Sequence, residues 1–167
     1  MKVSEEATET YIEQLLAAIP PMTAPVERLI LCSDGTVQTN LSILFRVPVT
    51  VEVLSQEQIL QAEEAIIRKV RLVAQYSPQQ QITACIANSI IPLNANSREF
   101  IDAINEKKLG IGQILKAMGY RYERHVSGIY ANEYEISRDY TIIGENLYLT
   151  INEVFSRNML TRAGEII

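Results

Sequence analysis

Two charged side chains stand in rows that are otherwise apolar, and their types suit anion binding and proton transfer. Written as a strand, residues 147–155 put Leu147, Leu149, Ile151, Glu153 and Phe155 on one face. Tyr148, Thr150, Asn152 and Val154 share the other, so Glu153 is the only ionisable residue on the more apolar side. The same alternation earlier in the chain groups Arg68 with Ile66, Val70, Leu72 and Ala74, while Lys69 and Arg71 point the opposite way with Ile67 and Val73. An unpaired buried charge costs several kcal/mol, roughly, so such residues are paired, neutralised or functional. Three readings follow. Arg68 and Glu153 form an ion pair that fixes sheet register; one of them reaches solvent at a sheet edge; or they line a pocket. In the pocket, Arg68 holds a carboxylate bidentately and Glu153, its pKa raised by desolvation, exchanges protons.

Gly110-Ile111-Gly112 ahead of a short helix has two readings as well. It is a turn between helices, or a place where backbone N–H groups approach an anion. Asp34-Gly35 reads as a turn.

These residues need a scaffold, and the composition supplies one domain of it. A chain of 167 residues with 47% hydrophobic and 21% charged residues is globular and buries about two-thirds of its extended surface. With 15 basic and 20 acidic side chains the net charge is −5, which disfavours a nucleic-acid partner. Cys32 and Cys85 lack CxxC spacing and read as buried thiols. A single histidine, His125, leaves little for a His-based metal site or a Ser/His/Asp arrangement, and there is no DxDxDG loop. No apolar run approaches ~20 residues, and Glu5, Glu6 and Glu9 stand where a signal peptide is basic. The expectation is a cytoplasmic protein with neither membrane nor nucleic-acid partner.

Along the chain, Ser4 is placed to cap a helix over about 5–19 carrying Tyr11, Ile12, Leu15, Leu16 and Ile19, stopped by Pro20-Pro21. Leu29–Cys32 is a short apolar segment, Thr36–Leu44 a short helix, and Pro48–Gln56 a strand with Val49, Val51 and Val53 on one face. A polar helical stretch is expected around Gln56–Glu64. A long strand over Ala65–Tyr76 then turns at Ser77-Pro78-Gln79-Gln80 into a second strand over Ile82–Ile91. Ser97 caps a helix ending near Lys108, and Gln113–Met118 is a short helix. Strands follow over Tyr120–Ile129, Tyr134–Ile143 and Leu147–Phe155, then a terminal helix or tail. Consecutive strands with short turns give an α+β class: one domain over 1–167, an antiparallel sheet flanked by helices.

In this order and spacing the motifs resemble the chorismate lyase family in its shorter form, over about Leu29–Phe155, roughly three-quarters of the chain. The landmarks are Leu31-Cys32-Ser33-Asp34-Gly35-Thr36-Val37, Arg68-Lys69-Val70-Arg71-Leu72 and Leu109-Gly110-Ile111-Gly112-Gln113-Ile114-Leu115. Ser137-Arg138 with Tyr140, and Asn152-Glu153-Val154-Phe155, complete them. Residues 1–28, the N-terminal helix and its lead-in, carry no match. The resemblance implies an antiparallel sheet flanked by helices and conversion of chorismate to 4-hydroxybenzoate and pyruvate without cofactor or metal.

It makes Arg68 the anion-binding arginine and Glu153 the essential glutamate. Main-chain N–H groups at Val37 and Ile111, with Gly112 beside the second, bind substrate from two covering loops. Arg124 and Arg138 fall at basic positions common in the family. Leu72, Leu149 and Ile151 are the expected apolar wall. Where a threonine commonly follows the Val37 position this chain has Gln38, and Thr39 and Asn40 replace a basic residue. A non-enzymatic sensor or binding domain of the same fold, taking a small aromatic acid, is the alternative.

Overall fold

The computed structural model describes residues 13–33, 36–60 and 63–163. β-branched and apolar residues alternating with polar ones give six strands. They are β1 (Val49–Leu60), β2 (Glu64–Ser77), β3 (Gln80–Pro92), β4 (Tyr122–Ala131), β5 (Glu135–Gly144) and β6 (Leu147–Ser156). They form one antiparallel sheet in the order β1-β2-β3-β6-β5-β4. Two meanders, β1-β2-β3 and β4-β5-β6, are therefore sewn together where β3 pairs with β6. This seam brings Arg68 on β2 and Glu153 on β6 within one strand of each other.

Helices cover one face. They are α1 (13–18), α2 (Pro25–Cys32), α3 (Val37–Phe45), α4 (Arg98–Asn105), α5 (Ile111–Ala117) and α6 (Arg157–Arg162), with a 3-10 turn at Leu93–Ala95. Each of α2 to α6 sends buried side chains into a single core, among them Leu31, Phe45, Phe100, Leu115 and Leu160. There they meet Ile66, Leu72, Ile91, Ile142, Leu149 and Phe155 of the sheet. The α+β class with an antiparallel sheet flanked by helices is what the molecule has.

Local chemistry sets the helix starts. Pro25 opens α2, and the Glu27 side chain accepts from Ala24 N–H at 2.7 Å, the one half of a capping box that an alanine N-cap allows. Glu27 is buried and also pairs with Arg157 at 2.8 Å, tying α2 to the last helix. Ser97 caps α4 as expected, accepting from Phe100 N–H. At α5, Gly110 is the N-cap residue and Gln113 Oε1 accepts from its N–H at 2.9 Å.

Gln56–Leu60 is strand, not polar helix: β1 runs on to Leu60, paired with Arg68 to Glu64 of β2. An edge strand exposes polar side chains while its backbone stays bonded on one side, so the Gln/Glu composition reports solvent rather than a helix. Leu29–Cys32 is the end of a helix begun at Pro25. Of the helix expected over 5–19, residues 13–18 are helical; Ser4, Tyr11 and Ile12, like the Asp34-Gly35 turn, lie outside the described residues. Cys85 is a buried thiol as expected, whereas Cys32 is half-buried rather than buried. Among the described residues no helix is long and apolar enough to cross a membrane.

Candidate functional site

Alternation along β2, β5 and β6 points one charged or polar side chain after another from the sheet toward the helices. Arg68 and Arg138 are among the most completely buried large side chains in the molecule, at 1% and 0% exposure, and Glu153 is 6% exposed. The helix N-termini close over them. A cavity of ≈ 640 Å3, its open mouth included, is lined by Arg68, Glu153, Val37, Ile111 and Gly112 together with Arg124 and Tyr140. All five residues singled out for catalysis and substrate binding thus face one space.

Arg68 and Glu153 do not pair with each other. Neither reaches a solvent-exposed edge, so that reading falls too. Glu153 is held by β5 instead: Arg138 Nε donates to its Oε2 at 2.8 Å, and Tyr140 Oη donates to its Oε1 at 2.8 Å. Arg138 in turn donates from Nη1 to the Leu31 carbonyl at 2.7 Å and the Ser33 carbonyl at 3.1 Å. Burial lowers the Arg138 pKa, but the adjacent Glu153 charge outweighs it and the guanidinium is held above its usual value. Tyr140 is pushed well above the ordinary phenol range, first by burial and then by the Glu153 charge; its phenol stays protonated and donates. Cys85 is pushed up in the same order by the same two causes.

Arg68 is left with less. Its Nη2 donates to the Leu109 carbonyl at 2.6 Å, while Nε and Nη1 are buried without a hydrogen-bond partner. Burial alone lowers its pKa. Opposite it on β1, Gln56 Oε1 is also buried and unpartnered, but Gln56 does not line the cavity. Two unmatched donors on a buried cation make a receptor for a planar anion.

The two helix starts add main-chain donors. Thr36, Val37 and Gln38 at α3 and Gly110, Ile111 and Gly112 at α5 line the mouth. At the first two helical positions, Val37 and Gln38 in α3 and Ile111 and Gly112 in α5, the N–H groups have no intrahelical acceptor. Gln38, the departure from the family pattern, donates from Nε2 to the Val49 carbonyl at 2.6 Å and so pins α3 to the start of β1. Arg124 on β4 donates to the Ser33 carbonyl at 2.9 Å and lies 4.7 Å above the Tyr140 ring. The apolar wall is Val51, Val70, Leu72, Ile142 and Ile151. Leu149 belongs to the wholly buried core and does not face the cavity; its strand neighbour Ile142 takes the place expected of it.

Arg138 was open to detection from its pattern. Ile136, Arg138, Tyr140 and Ile142 alternate as the Arg68 and Glu153 rows do, and all four are buried. Among the described residues no group of three or more His, Cys, Asp or Glu side chains is placed to hold a metal ion. No family model matches the chain, and no curated protein matches it.

Proposed function

We propose that the protein is a chorismate pyruvate-lyase, converting chorismate to 4-hydroxybenzoate and pyruvate. The observation that carries this reading is Arg68: a buried guanidinium with two unpartnered nitrogens at one end of a largely apolar cavity, with a carboxylate side chain in the same wall. An aromatic carboxylic acid matches that layout, its carboxylate on Arg68 and its ring against Leu72, Ile142 and Ile151.

The reaction removes one ring proton, breaks the ether bond to the enolpyruvyl group, and delivers a proton to the departing enolate carbon. Aromatisation drives it, so the site supplies orientation and proton transfer rather than a covalent intermediate. Arg68 and the N–H groups at Val37 and Ile111 orient the carboxylates and stabilise charge on the leaving oxygen. Glu153 accepts and returns the proton. Arg138 and Tyr140 are positioning residues that fix the carboxylate; Tyr140 also faces the cavity. With Glu153 matched by Arg138, the charge of Arg68 leaves its end of the cavity positive, as an anionic substrate needs.

Incubation with chorismate, followed by absorbance of 4-hydroxybenzoate, tests this directly. Turnover above the spontaneous rate is expected, and folded protein without it sinks the proposal. A second reading draws on the same bonds: both Glu153 oxygens are already engaged, as in a site that only binds. A rise in melting temperature with 4-hydroxybenzoate, while chorismate goes unconsumed, selects that reading.

A further inference from the structure

The sheet face turned away from the helices carries a pattern that complements itself. Helices α2 to α6 bury their side chains in the core on the inner face. The outer face presents Ile67, Ile90, Ile143 and Tyr148, each between 39% and 49% exposed. Strand register sets their neighbours in rows. One row across β2, β3, β6 and β5 reads Lys69, Asn88, Asn152, Asp139. Asn152 Nδ2 donates to Asp139 Oδ1 at 2.7 Å and holds that end in place. The next row spans all six strands: Glu57, Ile67, Ile90, Thr150, Thr141, His125.

Both rows have their midpoint at the β3–β6 seam. A twofold axis lying along the strands at that seam, in the plane of contact, exchanges the ends of each row. Lys69 then meets Asp139 of a second copy, Glu57 meets His125, Asn88 meets Asn152, and Ile90 meets Thr150. Every contact occurs twice, as an isologous interface requires. A twofold axis crossing the strands at the Lys69 row would instead set Lys69 against Lys69.

We propose that this outer face is the interface of a homodimer, its occupant a second copy of the same chain related by that axis. The dimensions suit it. Six strands about 4.8 Å apart and about ten residues long offer roughly 800 Å2 per copy, the area of a stable standard-size interface. Two twisted sheets stacked face to face keep their strands within about 30°, which this axis allows. The Lys69–Asp139 charge pair and the polar Glu57–His125 contact select the register, and the isoleucines and tyrosine supply apolar contact. The cavity opens on the other side of the sheet, so dimerisation leaves it accessible and this inference stands apart from the proposed activity.

Sedimentation equilibrium on the full chain tests it, with a mass of twice 18.8 kDa expected. Lys69→Glu and Asp139→Lys, made singly, each weaken the dimer about tenfold or more. Combined, they exchange the charges and bring affinity back to within about threefold of the parent. Lys69 is exposed, so Lys69→Glu leaves the far-UV circular dichroism unchanged. Should Asp139→Lys fail to fold on losing Asn152, Glu57→Arg with His125→Glu gives a second exchange with the same expected loss and recovery. A monomer at about 100 µM, a dimer indifferent to Lys69→Glu, or failure of the paired exchange to restore association overturns the proposal. So does another macromolecule bound to this face of a chain that stays monomeric.

Discussion

Two buried arginines in this molecule have opposite surroundings, and the contrast separates structure from function at the level of single side chains. Arg138 has a carboxylate and two carbonyls, so its charge is answered within the protein. Arg68 has one carbonyl and two empty donors. A buried cation so poorly matched lowers the stability of the empty protein, and an apolar replacement of similar volume is commonly neutral or stabilising. Arg68→Met is therefore expected to leave the urea midpoint unchanged or raised, while 4-hydroxybenzoate affinity by calorimetry falls about a hundredfold. A large loss of stability would show that Arg68 serves the fold instead. Glu153 behaves in the reverse way. Glu153→Gln abolishes turnover and, by leaving the Arg138 charge without its carboxylate, costs roughly 3 kcal/mol, a drop of about 6–12 °C in melting temperature. Unchanged melting would mean that the Arg138 pair is weak, and retained turnover that Glu153 is not the proton-transfer group.

The elements that carry these residues were legible to differing degrees, for physical reasons. β2, β5 and β6 are strands with one buried face, and a period of two is visible wherever one side is apolar. That same signal exposed Arg68 and Glu153. The far half of β1 has solvent on both faces, so Gln56–Leu60 shows no alternation and its place in the sheet comes from pairing with β2. The Arg138–Glu153 partnership was hidden because pattern identifies a face but not which strands are neighbours.

Helix starts carried local signals, yet how α3 and α5 meet is tertiary. A Cβ on Gly112 would sit 2.8 Å from Thr36 Cγ2, closer than side chains pack. Alanine at a helical position gains about 1 kcal/mol over glycine, whereas the overlap costs about 1–3 kcal/mol. The two nearly cancel in stability, and the strain falls on the cavity mouth. Gly112→Ala is expected to raise KM severalfold with little change in melting. Adding Thr36→Ser, which removes the offending methyl, brings KM back. Absence of that recovery would show that the glycine serves some purpose other than close approach.

For the molecule as a whole, the seam between the two meanders is the place where buried ionisable groups crowd together. Glu153 on β6 stands directly beside Arg138 on β5, with Tyr140 two residues along β5 and Cys85 two residues along β3 from its neighbour Ala87, all on the same face. Burial and then the Glu153 charge raise both the Cys85 thiol and the Tyr140 phenol in the folded state. A group raised above its unfolded value supports folding fully below that unfolded value and withdraws support as pH climbs toward the folded one. The unfolded values are about 8.5 for a thiol and about 10 for a phenol. Stability should hold through neutral pH, decline from about 8.5 as the unfolded chain ionises Cys85, and fall faster above about 10 as Tyr140 joins. Each group adds a slope of up to ~1.4 kcal/mol per pH unit. Urea unfolding across this range reads the slope. Cys85→Ala should flatten it between about 8.5 and 10 while leaving a fall above, whereas Tyr140→Phe should lessen that upper fall, to which the burial-raised Tyr76 also contributes, yet weaken the protein at every pH by depriving Glu153 Oε1 of its donor. Equal slopes in parent and Cys85→Ala would mean that the thiol ionises as freely at the seam as in water, contradicting its burial between the two meanders.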